Sequence, residues 1–226
     1  MNQYKTLIQS IPYDLAVELA SQARVRRVKR GEVVATFGDA PSIAFVAQGW
    51  FKLARFTELG DEHVIAVRRR GEFIGLDTLS NPELEMPEVL AMTAGHVIVW
   101  PRAVFERFYS ENIQFVQAVA RILAEQIESE VNQRVMRQSA RVSARLARIL
   151  YLLAADQGER TPSGYRVTLP FTQEELAGLM TVRRETISVN LSELELEGVI
   201  SRSGRSLLID PERMTQYLEM NGALHG

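Results

Sequence analysis

The segment of residues 169–209 constrains the fold more than any other part of the chain. It reads LPFTQEELAGLMTVRRETISVNLSELELEGVISRSGRSLLI. Thr172, followed three residues later by Glu175, is a capping box, which predicts that a helix begins there. A turn at Thr181 and Val182 then leads into a second helix over residues 183–196, and residues 201–206 predict a hairpin. This order of elements predicts a winged helix-turn-helix.

The second helix of this segment has two chemically different sides. Apolar residues recur at helical spacing on its inner side, and polar residues begin its outer side. In a DNA major groove an arginine donates two hydrogen bonds to guanine, a glutamate accepts from cytosine, and an apolar side chain contacts the thymine methyl. The predicted DNA-binding residues are Thr172, Gln173, Arg183, Arg184, Glu185, Ser188, Val189, Arg202 and Arg205. The alternative is a helix-turn-helix used for packing, with Arg183, Arg184 and Glu185 on a solvated face.

Residues 24–100 have a different pattern, in which short β-rich segments alternate with turn signals. Regular short strands separated by glycine predict a sandwich or barrel of antiparallel strands. The predicted strands are residues 33–37, 43–46, 50–56, 63–67, 89–92 and 96–100. Before them, residues 1–20 have a helical pattern in which Pro12 marks a break or a helix start.

A short helix over residues 102–109 and a long one over residues 113–135 follow. The apolar stripe of the long helix is Val116, Ala120, Leu123, Ile127 and Val131. Burying one large aliphatic side chain stabilises by ~1.5–3 kcal/mol, so the stripe must meet a partner. Because the back of the helix is polar, we favour its twin across a dimer axis, and packing on the barrel of the same subunit is the alternative. The helical spacing of the apolar residues is interrupted at residues 136–139. A further helix over residues 140–155 and a loop at residues 156–164 are predicted after it.

Composition excludes several classes of protein. The 226 residues include no cysteine, which excludes disulfides, thiolate zinc sites and cysteine-ligated iron–sulfur clusters within the chain. Three histidines, His63, His96 and His225, are too few for a multi-histidine metal site, so we expect no metal. No run approaches the ~20 apolar residues of a membrane span, and the N-terminus lacks a secretory signal. We expect a cytoplasmic protein that does not bind membranes. Without a recognisable catalytic motif, we also expect that it is not an enzyme.

Three segments together resemble the cAMP receptor protein/fumarate–nitrate regulator (CRP/FNR) family of bacterial transcription factors. They are GEFIGLDTL at residues 71–79, the long helix, and TQEELAGLMTVRRETISVNLSELELEGVI at residues 172–200. The resemblance covers nearly the full length. It implies an α+β fold with a cyclic-nucleotide-binding-type β jelly roll as the effector domain (1–112), a dimerisation helix and hinge (113–137) and a C-terminal winged helix-turn-helix that binds DNA (138–226).

The resemblance also assigns positions in the DNA-binding part. Arg184 and Glu185 match the family's base-reading pair, and Ser188 matches a further position that faces the groove. Val189 stands where many members have arginine, so we expect a different preference at that base pair. Thr181 replaces a turn glycine that is common in the family, which we take as a mild change.

The resemblance further implies an effector pocket at the glycine loop. Its candidate residues are Gly71, Glu72, Phe73, Ile74, Gly75, Leu76, Glu85 and Met86. Members that bind cyclic nucleotides hold the cyclic phosphate with an Arg-Ser pair, and those positions fall on or near Glu85 and Met86. A carboxylate there repels a phosphate by an energy on the order of 1–4 kcal/mol. We therefore predict that cAMP does not bind in the usual mode, and the cofactor stays unknown.

Three other effector hypotheses stay open. Haem needs an axial ligand, for which His63 or His96 is available. Arg68, Arg69 and Arg70 suit an anion such as a cyclic dinucleotide, unless they are a solvated strand end. The third is action without an effector.

The resulting prediction is a homodimeric, sequence-specific transcription regulator. The helix at residues 183–196 of each subunit would bind one half of a palindromic DNA site, with half-sites ~34 Å apart. RNA polymerase is an expected partner. An event in the barrel would shift the long helices and move the DNA-binding domains about the hinge at residues 136–139. The alternative is a sensor whose winged helix docks a protein rather than DNA. The sequence leaves open the effector, the target site, the regulated genes and the direction of regulation.

Overall fold

The computed structural model describes residues 7–35, 42–56, 60, 62–79, 86–139, 141–204 and 206–223, without the side chains of residues 8, 35, 62, 77 and 133–139. The chain divides into two compact units, Met1–Gln126 and Ile127–Gly226. The division falls inside the long helix and before the boundary that the sequence predicts near residue 137.

The first unit begins with a 3₁₀ turn, Leu7–Ser10, and helix α1, Tyr13–Ser21. Pro12 is the N-cap of α1, so it starts the helix. The strands of this unit are β1 (Arg24–Val28), β2 (Val33–Ala35), β3 (Ser42–Gln48), β4 (Phe51–Phe56), β5 (Glu62–Arg68), β6 (Phe73–Ile74), β7 (Glu88–Ala91) and β8 (Gly95–Pro101). Each of the six predicted strands is observed with small shifts at its ends, except that residues 36 and 37 of the first one lie outside the described residues, and β1 and β6 were not predicted.

The eight strands form two four-stranded antiparallel sheets. Their orders are β1-β8-β3-β6 and β2-β7-β4-β5. This arrangement is the antiparallel sandwich that the sequence predicts. Successive residues of a strand point to opposite faces, so on β3 Ala44 and Val46 belong to the core between the sheets, while Ile43 and Phe45 belong to a second core.

Helices cover this second core. They are α1, α2 (Arg102–Glu111) and α3 (Ile113–Ser139). Phe105 is fully buried and makes edge contacts with Phe73, Trp100 and Phe115. The Trp100 indole donates a hydrogen bond to the Leu19 carbonyl at 2.9 Å. The helical layer is thereby joined to one face of the first sheet.

Helix α3 has a buried apolar face that the sequence analysis did not predict, although the residues predicted for its polar back are exposed or half-buried. The face of α3 toward the sheet consists of Phe115, Ala118, Val119, Ile122 and Gln126, none of them more than 8% exposed. The predicted stripe lies on another side of the helix. Val116 and Leu123 are half-buried and Ala120 is exposed, whereas Ile127 is 61% and Val131 51% exposed. Within the first unit, Leu123 packs against the core beneath α3, whereas Ala120 does not.

The second unit is built around helix α4 (Val142–Gln157), which packs against the later helices. Its other elements are β9 (Glu159–Thr161), β10 (Gly164–Thr168), α5 (Gln173–Met180), α6 (Arg184–Leu196), β11 (Ile200–Ser203), β12 (Ser206–Ile209) and α7 (Pro211–Met220). The strands form one sheet in the order β11-β12-β10-β9. The core side chains Leu146, Leu150, Ile187 and Leu194 are completely buried.

Three elements of the second unit differ from the prediction. Residues 159–161 and 164–168 are strands β9 and β10, although residues 156–164 were predicted as a loop. Helix α7 was not predicted. Asp210 caps α7 by accepting from the backbone N–H groups of Glu212 and Arg213, each at 3.0 Å.

Within the described segments, no helix combines the length and apolar character needed to cross a membrane. The same residues include no group of three or more histidine, aspartate or glutamate side chains placed to hold a metal ion.

Candidate nucleic-acid interface and effector region

The predicted capping box at the start of α5 is present. The Thr172 hydroxyl accepts from the Glu175 backbone N–H at 3.2 Å, and the Glu175 carboxylate accepts from the Thr172 backbone N–H at 2.7 Å. Thr172 is exposed and Gln173 is half-buried. The first turn of α5 is therefore fixed by its own side chains. A DNA contact by the Thr172 hydroxyl would share an oxygen that already accepts a bond.

The turn between α5 and α6 is held from both sides. The backbone N–H of Val182 donates to the Ala177 carbonyl at 3.0 Å, and the Arg145 guanidinium of α4 donates to the Met180 carbonyl. Thr181 has φ +56°, the only positive φ of a non-glycine residue in the described segments. A β-branched residue is strained in this region. The replacement of the family's glycine is therefore not the mild change that the sequence prediction assumed.

Helix α6 has one buried side and one exposed side. Ile187 and Leu194 are fully buried and Leu191 is 2% exposed. The four predicted base-contacting residues are all exposed: Arg184, Glu185, Ser188 and Val189. Arg183 is the N-cap, so α6 begins one residue later than predicted, and no side chain caps its first turn. The backbone N–H groups of Arg184 and Glu185 are the donors that this turn offers to an anion, since that of Thr186 donates to the Arg183 carbonyl at 3.0 Å.

In the hairpin of β11 and β12, Arg202 has partners within the chain that the sequence analysis did not predict. Its Nε donates to the Glu195 carboxylate at 2.7 Å, and its Nη2 donates to the Ser192 hydroxyl at 3.2 Å. The hydrogen bonds that Glu195 accepts from the side chain and the backbone N–H of Arg202 lower the pKa of the Glu195 carboxyl. The guanidinium that was expected to contact the DNA backbone is thus bound to the C-terminal half of α6. Arg205, the other predicted contact of the hairpin, lies outside the described residues.

In the effector region, Glu72 is committed to an internal ion pair. Its carboxylate accepts from the backbone N–H of Arg69 at 3.1 Å and from the Arg69 Nε at 3.2 Å. Both residues are buried. Burial raises the pKa of Glu72, and the charges of Arg69 and Arg68 only partly oppose it. The sequence analysis also considered residues 68–70 as a solvated strand end. That interpretation is wrong for Arg69, which is buried, although Arg70 is exposed.

The glycine loop closes tightly onto its neighbours. Gly75 has φ +86°, and a Cβ there would lie 2.8 Å from the Ser42 carbonyl oxygen and 3.4 Å from the Met86 Cε. The Thr78 hydroxyl donates to the Gly75 carbonyl at 2.6 Å. Gly71 and Leu76 are half-buried, and Glu85 lies outside the described residues. Met86 thus packs beside the loop that the resemblance assigns to an effector.

Two of the predicted pocket residues do line a cavity. Ile74 and Met86 form part of the wall of a space of about 500 Å³ in the first unit. The other side of its wall was not predicted and includes Arg24, Arg26 and Arg27 of β1. The basic run RVRRVKR at residues 24–30 was the available signal for this surface.

The prediction also missed Gln126 on α3. Its side-chain amide accepts from the Phe73 backbone N–H at 3.1 Å and donates to the Phe73 carbonyl at 3.5 Å. A glutamine on a long helix gives no sign in the sequence that it is buried. The two histidines considered for haem lie on different strands, and His96 Nδ1 is 3.0 Å from the Gln48 Oε1.

Comparison with known proteins agrees with this architecture. Residues 25–112 match the family model of the cyclic nucleotide-binding domain, and residues 144–217 match that of the Crp-like helix-turn-helix domain. A domain of the first kind followed by one of the second defines a class of bacterial transcription regulators.

Individual relatives agree with that class. The CRP-like cAMP-activated global transcriptional regulator of Mycobacterium tuberculosis is 23% identical over 212 residues, which cover 93% of this chain and 95% of the relative. A solved structure from Ruegeria pomeroyi is 27% identical, with TM-score 0.69 and coverage of 94% and 93%. A CRP-family transcriptional regulator from Thermus thermophilus is 25% identical, with TM-score 0.65 and coverage of 86% and 96%. The chain belongs to the CRP/FNR family of transcription regulators.

Proposed function

We propose that the protein is a homodimeric, sequence-specific DNA-binding regulator that inserts the start of α6 into the major groove. The observation that carries this proposal is the division of α6 into two sides. Its inner residues are buried in the second unit, while Arg184, Glu185, Ser188 and Val189 are all exposed on its first two turns. A helix anchored on one side and polar on the other is what major-groove binding requires.

The residue types assign a role to each exposed position. Arg184 donates two hydrogen bonds to a guanine, Glu185 accepts from a cytosine amino group, and Val189 contacts a thymine methyl. Ser188 either donates or accepts. Arg183 and the uncapped first turn of α6 bind a phosphate, as does the start of α5 at Gln173. These phosphate contacts fix the position of the helix, and the base contacts determine specificity.

The dimer interface in this proposal is the exposed stripe of α3. Ile127 and Val131 are large, apolar and more than half exposed. In a parallel pair of helices the stripe would meet its own copy, and each buried aliphatic side chain would contribute ~1.5–3 kcal/mol. Two-fold symmetry then pairs the two α6 helices and implies a palindromic site. A regulator of this kind acts on RNA polymerase, which we propose as a partner. We propose the cytoplasm as its location.

We also propose that the effector is not cAMP bound in the usual mode. The relative from Mycobacterium tuberculosis is called cAMP-activated. This chain has no arginine, lysine, serine or threonine in residues 81–92, where the resemblance places the phosphate-binding pair. Met86 packs against the glycine loop, and Glu72 is already bound to Arg69. Isothermal titration with cAMP tests this point, and a micromolar dissociation constant would contradict it.

The DNA-binding proposal is tested by genomic footprinting followed by fluorescence anisotropy on the recovered duplex. Arg184→Ala should weaken binding by about 5- to 150-fold for each half-site, since a bidentate base contact is worth about 1–3 kcal/mol and the dimer loses one contact in each half-site. It should also reduce discrimination at a single base pair of each half-site. Arg160→Ala removes an exposed arginine of β9 and is the matched control.

Salt dependence separates the main proposal from the alternative of a winged helix that docks a protein. DNA binding weakens steeply as the salt concentration rises because counterions are released. A shallow dependence, together with an unchanged affinity of Arg184→Ala, would favour the protein-docking alternative and contradict the DNA-binding proposal.

A further inference from the structure

We infer that Arg202 and Glu195 are a pair of positioning residues for DNA recognition. Arg202 holds the hairpin of β11 and β12 against the outer side of α6, and its charge serves Glu195 rather than a DNA phosphate. The inference rests on the proposed DNA-binding function and deepens it, because it replaces the predicted phosphate contact of Arg202 by a role within the recognition surface.

The first connection uses the open edge of β11. This strand is the outermost one of its sheet, in the order β11-β12-β10-β9. An edge strand has backbone groups that point away from its single neighbour. The backbone N–H of Arg202 donates to Glu195 Oε1 at 3.0 Å. A side chain of α6 therefore holds β11 by its backbone.

The Arg202 side chain makes the second connection. Its Nε donates to Glu195 Oε2 at 2.7 Å, and its Nη2 lies 2.6 Å from the same oxygen. The two side chains are 32% and 36% exposed, so water screens this pair less than a pair in open solvent. Both carboxylate oxygens of Glu195 are thus committed to one residue, which gives the guanidinium a defined orientation.

The pair continues to the part of α6 that is proposed to read bases. Arg202 Nη2 donates to the Ser192 hydroxyl at 3.2 Å, and this hydroxyl donates to the Ser188 carbonyl at 3.2 Å. Ser188, Ser192 and Glu195 are separated by four and three residues, so they lie on one side of the helix. Ser188 is one of the exposed residues in the proposed contact with DNA. The hairpin is therefore bound to the side of α6 that would face the groove.

The charge of Glu195 explains why Arg202 stays with it. DNA is a dense polyanion, and a carboxylate on the groove-facing side of α6 repels it unless a cation neutralises the carboxylate. An arginine that moved to a phosphate would gain one anionic partner and leave Glu195 as an unpaired anion beside the same duplex. We therefore assign the Arg202 charge to Glu195.

Glu195→Gln distinguishes the two roles of Arg202 by the sign of its effect. The variant loses a negative charge, which by itself should strengthen DNA binding, whereas the loss of a positioning pair should weaken binding. By fluorescence anisotropy on the duplex recovered by footprinting, we expect affinity to fall by about two- to fivefold for each half-site. Unchanged or stronger binding of Glu195→Gln would overturn the inference.

Arg202→Gln tests whether the two residues act together. It should weaken binding as Glu195→Gln does, and the double variant should be no weaker than either single variant, because residues in one network are not additive. The slope of log Kd against log salt concentration should keep its wild-type value, since each lost phosphate contact would reduce it by about 0.9. Losses that multiply in the double variant, or a smaller slope for Arg202→Gln, would contradict the inference.

Hydrogen exchange of the full-length protein without DNA tests the pair directly. Glu195→Ala removes the acceptor of the Arg202 backbone N–H, so this amide should exchange at least about fivefold faster. Arg166→Gln is the matched control, since it breaks the exposed pair of Arg166 and Glu159 in the same sheet. The control should change neither this exchange rate nor DNA affinity. An unchanged exchange rate in Glu195→Ala would also overturn the inference.

Arg184→Ala separates a failure of this inference from a failure of the proposed function. It removes a proposed base contact and leaves Arg202 and Glu195 in place. If Arg184→Ala kept full affinity, the DNA-binding proposal would fail. If Arg184→Ala lost affinity while the Arg202 and Glu195 variants lost none, the positioning role alone would fail. Circular dichroism verifies that each variant is folded.

Discussion

Gln126 pairs with the backbone of Phe73 in the way that a neighbouring strand would. Its side-chain oxygen accepts from the Phe73 N–H at 3.1 Å, and its side-chain nitrogen lies 3.5 Å from the Phe73 carbonyl oxygen. Gln126 is 8% and Phe73 2% exposed. The short strand β6 thereby has β3 on one side and a glutamine of α3 as its further partner.

Replacing Gln126 by methionine should destabilise the first unit by about 1–3 kcal/mol, because the buried N–H of Phe73 loses its acceptor. Both tryptophans of the chain, Trp50 and Trp100, lie in this unit, so urea unfolding followed by tryptophan fluorescence reports on it alone. Gln117→Met, at an exposed position of the same helix, should leave the midpoint of the urea unfolding curve unchanged. Equal midpoints for the two variants would contradict the role of Gln126.

The ionisation of Glu72 should make the first unit less stable as pH rises. Burial raises its pKa above the usual 4.5, so the folded state holds the proton more tightly than the unfolded state does. The protonated carboxyl contributes its full stabilisation below pH 4.5, and this contribution is lost as pH rises through the folded-state pKa.

Urea unfolding of the wild type and of Glu72→Gln across that pH range measures the effect. The free energy of unfolding of the wild type should fall relative to that of the variant as pH increases. Glu111→Gln, at an exposed position, should show no such divergence. If the difference in free energy of unfolding between the wild type and Glu72→Gln stayed constant with pH, the prediction would be refuted.

Thr181→Gly should stabilise the second unit by about 1 kcal/mol, because Thr181 has φ +56°, a conformation that is strained for a β-branched residue and free of strain for glycine. Thermal unfolding followed by far-ultraviolet circular dichroism measures the change. Thr181→Ala keeps a Cβ atom in the left-handed region, so it should stabilise less than glycine. If alanine stabilised as much as glycine, the backbone angle would not be the cause.

Ile127→Glu should raise the dissociation constant of the proposed dimer by about two to four orders of magnitude. The substitution removes two buried isoleucines per dimer, each worth ~1.5–3 kcal/mol. Analytical ultracentrifugation over a concentration series gives the constant. Glu128→Gln changes the adjacent exposed residue and should leave the constant within a few-fold of the wild type. A wild-type chain that stays monomeric at its highest soluble concentration would remove the basis of this prediction.

Some elements were predictable because local chemistry determines them. Thr172 and Glu175 form the capping box that their spacing predicts, and Ile187 and Leu194 are buried as their helical period indicates. The pair Asp210 and Pro211 also gave a helix start for α7, a signal that the prediction did not use.

Other features depend on contacts between distant residues and leave no periodic trace. Strand β1 exposes four of its five residues at a sheet edge, so no apolar alternation marks it. The second buried face of α3 exists because Phe115 and Ile122 meet the aromatic side chains of a remote sheet. The burial of Glu72 with Arg69 likewise follows from the closing of the loop and not from the residue types alone.

The bond between Arg202 and Glu195 has a consequence for any attempt to re-engineer binding preference. Glu195 of α6 accepts hydrogen bonds from both the backbone and the side chain of Arg202. The hairpin of β11 and β12 is therefore attached to α6. A graft of α6 alone into another scaffold would separate this acid from its arginine. Residues 184–209 form the smallest segment that carries the whole arrangement, and they are the unit to exchange in a chimaera.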